Sequence, residues 1–328
     1  MAMKSVTLEL YIYQGTETSF SDTDLKYTIS KSRISTQANI TLEIGELVRD
    51  YLDLEFNNDY LSFTTWVKAV VTYFKEDGEL YSYSNPQTFT YLATEGYGYF
   101  EDGTNPELSR NSLISASNIY LPDDIAGKTP IFAEGVGKVI IDSTTTQITD
   151  NGNTNQKIQY LTIPANSSTV KIYDTDDSTL LKTINITNIC EPKFTKYKVS
   201  FVNKYGCFED LWFFKKSTEN LSVTDESFKR NTIKNSSSTY ESYRSQNERY
   251  NVNGLTNLTL NTGFIVEDMN QTIEELFLSE QVWIRYENKT LPIVPKTKSM
   301  AFKTSVNDNL TSYTVDFEFA FNKINNVR

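Results

Sequence analysis

With 328 residues, 38% of them hydrophobic and 13% aromatic, the chain is long enough for two or three domains of ordinary size, each with its own core. A formal net charge of −11 argues against binding a phosphate backbone. The absence of histidine removes the chemistry of Ser-His-Asp and Cys-His nucleophiles and of the usual zinc and iron ligand sets.

Tyr (21) and Phe (19) are abundant among recurrent Ser, Thr and Asn, a mixture that reads as strands joined by polar turns. The chain opens on a period of two, with Val6, Leu8, Leu10 and Ile12 on one side and Thr7, Glu9, Tyr11 and Tyr13 on the other. Ile44, Leu47, Val48, Tyr51 and Leu52 then recur at helical spacing. Thr41 is placed to cap that helix, and Glu43 and Glu46 suit the positive end of its dipole. Strands are expected over 63–74, 79–83 and 88–93, with a turn at Asp77-Gly78. Residues 1–95 therefore read as a β-sandwich of immunoglobulin or fibronectin size. The turn-rich, aromatic stretch that follows, over 96–112, reads as an ordered linker, because its rings need something to pack on.

A second β-sandwich is expected over 113–190, with strands at 138–142, 157–163, 169–173 and 180–186. Asn151-Gly152-Asn153 and Asp174–Asp177 mark the turns between them. The remainder, 191–328, reads as a β-barrel or sandwich with one short helix. Tyr197, Val199 and Phe201 alternate into the turn 203–206, and the aromatic run Leu211–Phe214 follows. Residues 230–250 are polar and lack apolar periodicity, which predicts a long exposed loop or a protruding hairpin. Strands at 255–260 and 263–266 lead to a helix in which Asp268 and Gln271 fit a capping box and Ile273, Leu276 and Phe277 form the apolar stripe. A strand over 282–286 and a return through Pro292 and Pro295 precede the clearest alternation of all, Tyr313, Val315, Phe317, Phe319 and Phe321.

Few groupings suggest chemistry. There is no G-x-S-x-G, Walker-type or G-x-G-x-x-G motif. The adjacent acids Glu101-Asp102, Asp123-Asp124 and Glu274-Glu275 lack an apolar setting and read as solvated surface rather than as a glycosidase pair. Asp174–Asp177 has the oxygens but not the spacing of a calcium loop, so a bare turn is expected. Trp66, Trp212 and Trp283 sit in apolar strand patterns and read as core or interface. Cys190 and Cys207 read as buried small hydrophobes rather than a disulfide or metal site. No catalytic residue, cofactor or metal is expected. The N-terminus shows no secretory signal and no segment is apolar enough to span a bilayer, which points to synthesis in the cytoplasm.

The run Val199-Ser-Phe-Val-Asn-Lys-Tyr-Gly-Cys-Phe-Glu-Asp-Leu-Trp-Phe-Phe-Lys-Lys216 resembles a block in tail proteins of phages that infect Bacteroidetes-type bacteria. The segment Leu278–Ile284, the closing run from Pro292 to Ala320 and the upstream Gly96–Pro106 are similar to the same group. The resemblance implies a tail-tube-like or distal-tail-like domain over 191–328, whose subunits close a ring by joining sheets edge to edge. It implies a virion structural protein whose partners are further copies of itself and other tail proteins, with neither stable nucleic-acid binding nor a membrane. The acidic charge would suit the wall of a channel through which DNA slides. Interface residues are then expected at Trp212, Phe213 and Phe214, near the ring core, and at Tyr240, Tyr243, Arg244 and Tyr250, reaching toward a neighbour. The alternatives are a carbohydrate- or host-receptor-binding protein and, behind it, a polysaccharide-degrading enzyme with paired carboxylates.

Overall fold

A computed structural model describes residues 3–34, 39–80, 86–104, 106, 112–231, 240–302 and 310–324. The fold is mainly β, built of several open antiparallel or mixed sheets with two short α-helices among the described residues. The chain forms two compact units. The first holds Met1–Cys190 with Ser200–Leu211 and Asp268–Glu280; the second holds Glu191–Val199, Trp212–Glu267 and Gln281–Arg328. Residues 1–95 and 113–190, read from the sequence as separate domains, thus lie together in the first unit.

In the first unit, β1 (Ser5–Tyr13), β2 (Leu25–Ser32), β3 (Thr64–Phe74) and β4 (Gln87–Thr94) form an antiparallel sheet in the order β2-β1-β3-β4. The alternation expected for β1 buries Val6, Leu8, Leu10 and Ile12. Helix α1 (Gly45–Arg49) packs Val48 and Leu47 into one cluster with Leu8, Leu10 and Ile12. Thr41 does not cap it: the helix starts after Ile44, and the Thr41 carbonyl accepts instead from the Lys31 ammonium at 2.6 Å. The Glu43 carboxylate takes the exposed Gly45 N–H at 3.1 Å. Gly78 sits at φ +84° in the expected turn. The strand expected after it lies mostly outside the described residues, although Leu80 bridges to Phe74.

The next strands are β5 (Asn118–Pro122), β6 (Gly127–Phe132), β7 (Lys138–Ile141), β8 (Thr144–Gln147), β9 (Ile158–Ile163), β10 (Thr169–Tyr173) and β11 (Leu180–Ile189). They form a five-stranded sheet, β5-β11-β10-β7-β8, and the pair β6-β9. Val139, Val170, Ile172 and Ile184, from three of its strands, are wholly buried. Asn155 fastens this layer to the first sheet: its amide donates to the Thr64 carbonyl at 2.7 Å and its oxygen accepts from Gly15 N at 3.3 Å. Asp174–Asp177 is a turn, closed by Asp177 N–H to the Asp174 carbonyl at 2.9 Å.

The chain continues through β12 (Tyr197–Val202) and β13 (Phe208–Phe213), joined by a turn in which Gly206 adopts φ +74°. The linker reaches that turn, with Tyr97 N–H bonded to the Lys204 carbonyl at 2.8 Å and Tyr97 and Tyr99 packed edge to face. The second unit holds β14 (Thr218–Lys229), β15 (Asn247–Val266), β16 (Val282–Tyr286), β17 (Lys289–Pro295) and β18 (Leu310–Phe319), while α2 (Asn270–Leu278), which lies between β15 and β16 in the chain, belongs to the first. Within this unit the strand order is β16-β17-β18-β15-β14. Leu258, Leu260, Ile284, Val315 and Phe317 form its core.

The two strands expected at 255–260 and 263–266 are one long strand, kinked where Gly263 takes φ +75° and donates to the Asn261 side chain at 2.8 Å. The capping box expected for α2 is not formed. Its N-cap is Met269, and the Asp268 carboxylate is drawn off by Ser117 N at 2.6 Å and Asn118 at 2.9 Å. Phe321 lies past the end of β18 and is exposed rather than buried.

Candidate assembly surface

β14 is the outermost strand of its sheet, and all twelve of its residues are exposed. Its inner neighbour β15 is amphipathic, with Gly254, Thr256, Leu258 and Leu260 turned into the unit. Leu221 pairs with Thr256 and Val223 with Gly254, so these two side chains carry the core face outward beyond the core. Leu221 is 58% exposed and Val223 49%.

The hairpin outruns the sheet behind it. β18 pairs with β15 only from Asn257 to Val266. Lys323 N–H to the Gly254 carbonyl at 2.8 Å and Ile324 N–H to Asn253 Oδ1 at 3.1 Å extend the contact a little further. Beyond Asn253, β14 and β15 have only each other as strand partners among the described residues. Two strands alone are marginally stable in water, and local contacts brace this pair. Phe228 and Tyr250 meet edge to face at 5.8 Å. Arg249 bonds Asp225 at 2.8 Å, which holds that carboxyl below its usual value, and Arg230 pairs with Glu248 at 3.3 Å. Asn251, at φ 49°, lies where the register slips.

The expected interface residues divide into two groups. Tyr240 (70% exposed), Tyr243 (79%), Arg244 and Tyr250 stand on the solvent side of the hairpin and its tip, with Arg244 paired to Glu241 and set 6.0 Å from the Tyr243 ring centre. Trp212, Phe213 and Phe214 are instead buried in the chain's own core, Phe213 against Phe317 at 5.8 Å. Their surface is spent inside the protomer, so they are packing residues. An aromatic run reads alike whether its partner is the same chain or another. Leu221, Val223 and Phe228 were missed because single apolar residues among Ser, Thr, Asn and acids do not stand out. The signal was the i, i+2 step from Leu221 to Val223 in an otherwise polar strand.

A second grouping lies in the first unit. Glu209 accepts from Asn203 Nδ2 at 2.9 Å and from Thr272 at 3.1 Å. Glu275 accepts from the Ser115 hydroxyl and from Lys204 N at 3.4 Å. Burial first, then the charge of Glu275, pushes the Glu209 carboxyl up to about 8, and burial raises Glu275 as well. Lys182, depressed by burial, donates to the carbonyls of Ile114 and Ser115. Glu275, expected as solvated surface, is wholly buried. The reason is that helix α2 turns Thr272, Ile273, Glu275 and Leu276 inward together while Glu274 faces out. Every described oxygen of this pair has a donor from the chain itself, so the grouping acts as a polar lock between the 203–207 turn, the 113–115 segment and α2.

Cys190 is exposed rather than buried, whereas Cys207 is buried as expected. Trp66 is buried with its indole N–H on the Gly15 carbonyl at 3.2 Å, and Trp283 is partly buried. Among the described residues no group of three or more acidic or cysteine side chains is placed to hold a metal, and no helix is long and apolar enough to cross a membrane. No protein-family model, curated protein or solved structure matches the chain.

Proposed function

We propose that this chain is a structural component of a phage tail, acting through protein–protein assembly, with the β14–β15 hairpin as its joining arm. One observation carries the reading: a twelve-residue edge strand, exposed along its whole length, sits in a hairpin that projects past its sheet and shows apolar side chains to solvent. Bare edges of this length template the addition of other strands, and monomeric proteins shorten or cover them. An edge kept long and uncovered is suited to being completed by a partner. The resemblance of the 199–216 block and the closing strand to phage tail proteins supplies the setting, and a ring of copies is the assembly it implies. The absence of histidine and the enclosure of the Glu209–Glu275 pair fit a non-catalytic role.

Light scattering followed by negative-stain imaging tests this. The intact chain should form closed rings or larger assemblies, and a chain in which 225–250 is replaced by a short Gly-Ser turn should be monomeric yet folded. An arm-trimmed chain that assembles like the intact one would refute the role of the arm. A second reading, recognition of host glycan, is favoured by the exposed Tyr240 and Tyr243 rings beside Arg244. Saturable binding of a monomer to surface polysaccharide would establish it in place of the first.

A further inference from the structure

Resting on the reading of the hairpin as a joining arm, we propose that its partner is the outer edge of β2 in a second copy of the chain. β14 of one copy would add antiparallel to β2 of the next. Both strands are terminal in their sheets, so each has one edge without a strand partner among the described residues, and β2 too is exposed or half-exposed throughout.

Charge favours this pairing over others. β14 carries Glu219, Asp225 and Glu226 against Lys229, with Arg230 after it, whereas β2 carries Lys26 and Lys31 with no acid and lies between Asp24 and Arg33. Two β14 edges facing each other would bring like charges together, which opposes a symmetric pair. The outer edge of β4, Gln87–Thr94, has no charge to offer.

One register satisfies both charge and facing. Setting Glu219 opposite Arg33 also brings Glu226 to Lys26, since both intervals are seven residues, with Lys26 at the point where β2 slips its register against β1. The same register places Val223 opposite Ile29 and Leu221 opposite Lys31, whose aliphatic stem can cover it. The facing is consistent as well. Ile29 and Tyr27 pair with Leu8 and Leu10 in their own sheet and so share its core face. Val223 and Leu221 share the face of Thr256 and Leu258. A one-residue slip would break both agreements at once. Because different surfaces meet, the contact is head to tail, and it propagates into a ring or a filament rather than stopping at a dimer.

The test uses the full chain with Cys190→Ser, which removes the exposed thiol. Chains bearing only Ile29→Cys and chains bearing only Val223→Cys should stay uncrosslinked when oxidised separately and give a disulfide dimer when mixed. In parallel, Lys26→Glu/Arg33→Glu should weaken self-association about tenfold, as should Glu219→Lys/Glu226→Lys, and combining the four changes should restore it. Crosslinking of Val223→Cys chains with one another would show a symmetric edge and overturn the proposal. So would wild-type assembly by the Lys26→Glu/Arg33→Glu chain. If the arm-trimmed chain is nonetheless monomeric, the arm keeps its role and only β2 is excluded as its partner. An intact chain that is monomeric up to its solubility limit overturns both readings.

Discussion

Asn203 donates its side-chain amide to Glu209 at 2.9 Å while both side chains lie buried, and the same amide reaches the Leu113 carbonyl at 2.7 Å. The Asn203 oxygen is equally occupied, accepting from Tyr205 N and Cys207 N, each at 3.1 Å. One asparagine thus shapes its own turn and ties it to a neighbouring segment and to a buried acid. Buried polar networks of this kind are costly to break, because each lost partner leaves a desolvated group behind.

The acid in that network makes stability depend on pH. Its folded value, about 8, lies above the ordinary 4.5, so the folded state binds the proton more tightly than the unfolded one. Stability should be greatest at acidic pH and fall as pH rises from about 4.5 to about 8, by on the order of a few kcal/mol at most. Glu275 acts in the same direction, and with no histidine in the chain few other groups titrate in that window. Urea midpoints measured across it should show the decline, and Glu209→Gln should lose most of it. A flat wild-type profile would contradict the assignment.

Gly206 and Gly78 both lie in the left-handed region, at φ +74° and +84°. A Cβ on Gly78 meets nothing, whereas on Gly206 it would stand 2.7 Å from Glu95 N and 2.9 Å from Gly96 N. Gly78→Ala should therefore cost about 1 kcal/mol from backbone strain alone. Gly206→Ala should cost about 2–4 kcal/mol, because main chain must also move. Equal losses in thermal midpoint would mean that the linker does not press on the turn.

Core and arm aromatics should separate cleanly. Phe213→Ala empties a buried site against Phe317 and should destabilise by about 3–5 kcal/mol. Tyr243→Ala removes an exposed ring and should change stability by no more than about 0.5 kcal/mol. Any effect of the second on sedimentation would then report on assembly and not on folding.

Leu221→Ser with Val223→Ser should leave the denaturation midpoint within about 0.5 kcal/mol of wild type while reducing assembly. A large loss of stability would place these residues in the protomer's own packing.

Strands whose side chains divide sharply between core and solvent were legible in the sequence. β1, β10 and β18 announce themselves by alternation. β2, β6 and β14 were not, for different reasons. β2 and β14 bury too little for a period of two to appear, and β6 is buried on both faces. The caps failed because a side chain takes the best donor in three dimensions: Asp268 prefers Ser117 and Asn118 to the first turn of its own helix. Of the candidate surface, the position of the hairpin was readable from the polar gap at 230–250, but the exposed edge strand that leads into it was not. The buried Glu275 could not be told from Glu274 until the orientation of α2 was known.

The composition of β14 also governs how the isolated protein behaves in a tube. Glu219, Asp225 and Glu226 stand among Leu221, Val223 and Phe228 on an edge that no strand covers among the described residues, and such charges act as gatekeepers against indiscriminate stacking. They work together with the −11 of the whole chain, which vanishes near the isoelectric point of about 4.7. Molar salt shortens the reach of that repulsion to about 3 Å. Mild acid and high salt are therefore the conditions under which purified chains should precipitate as irregular fibres, and dilute neutral buffer is where ordered growth should be sought.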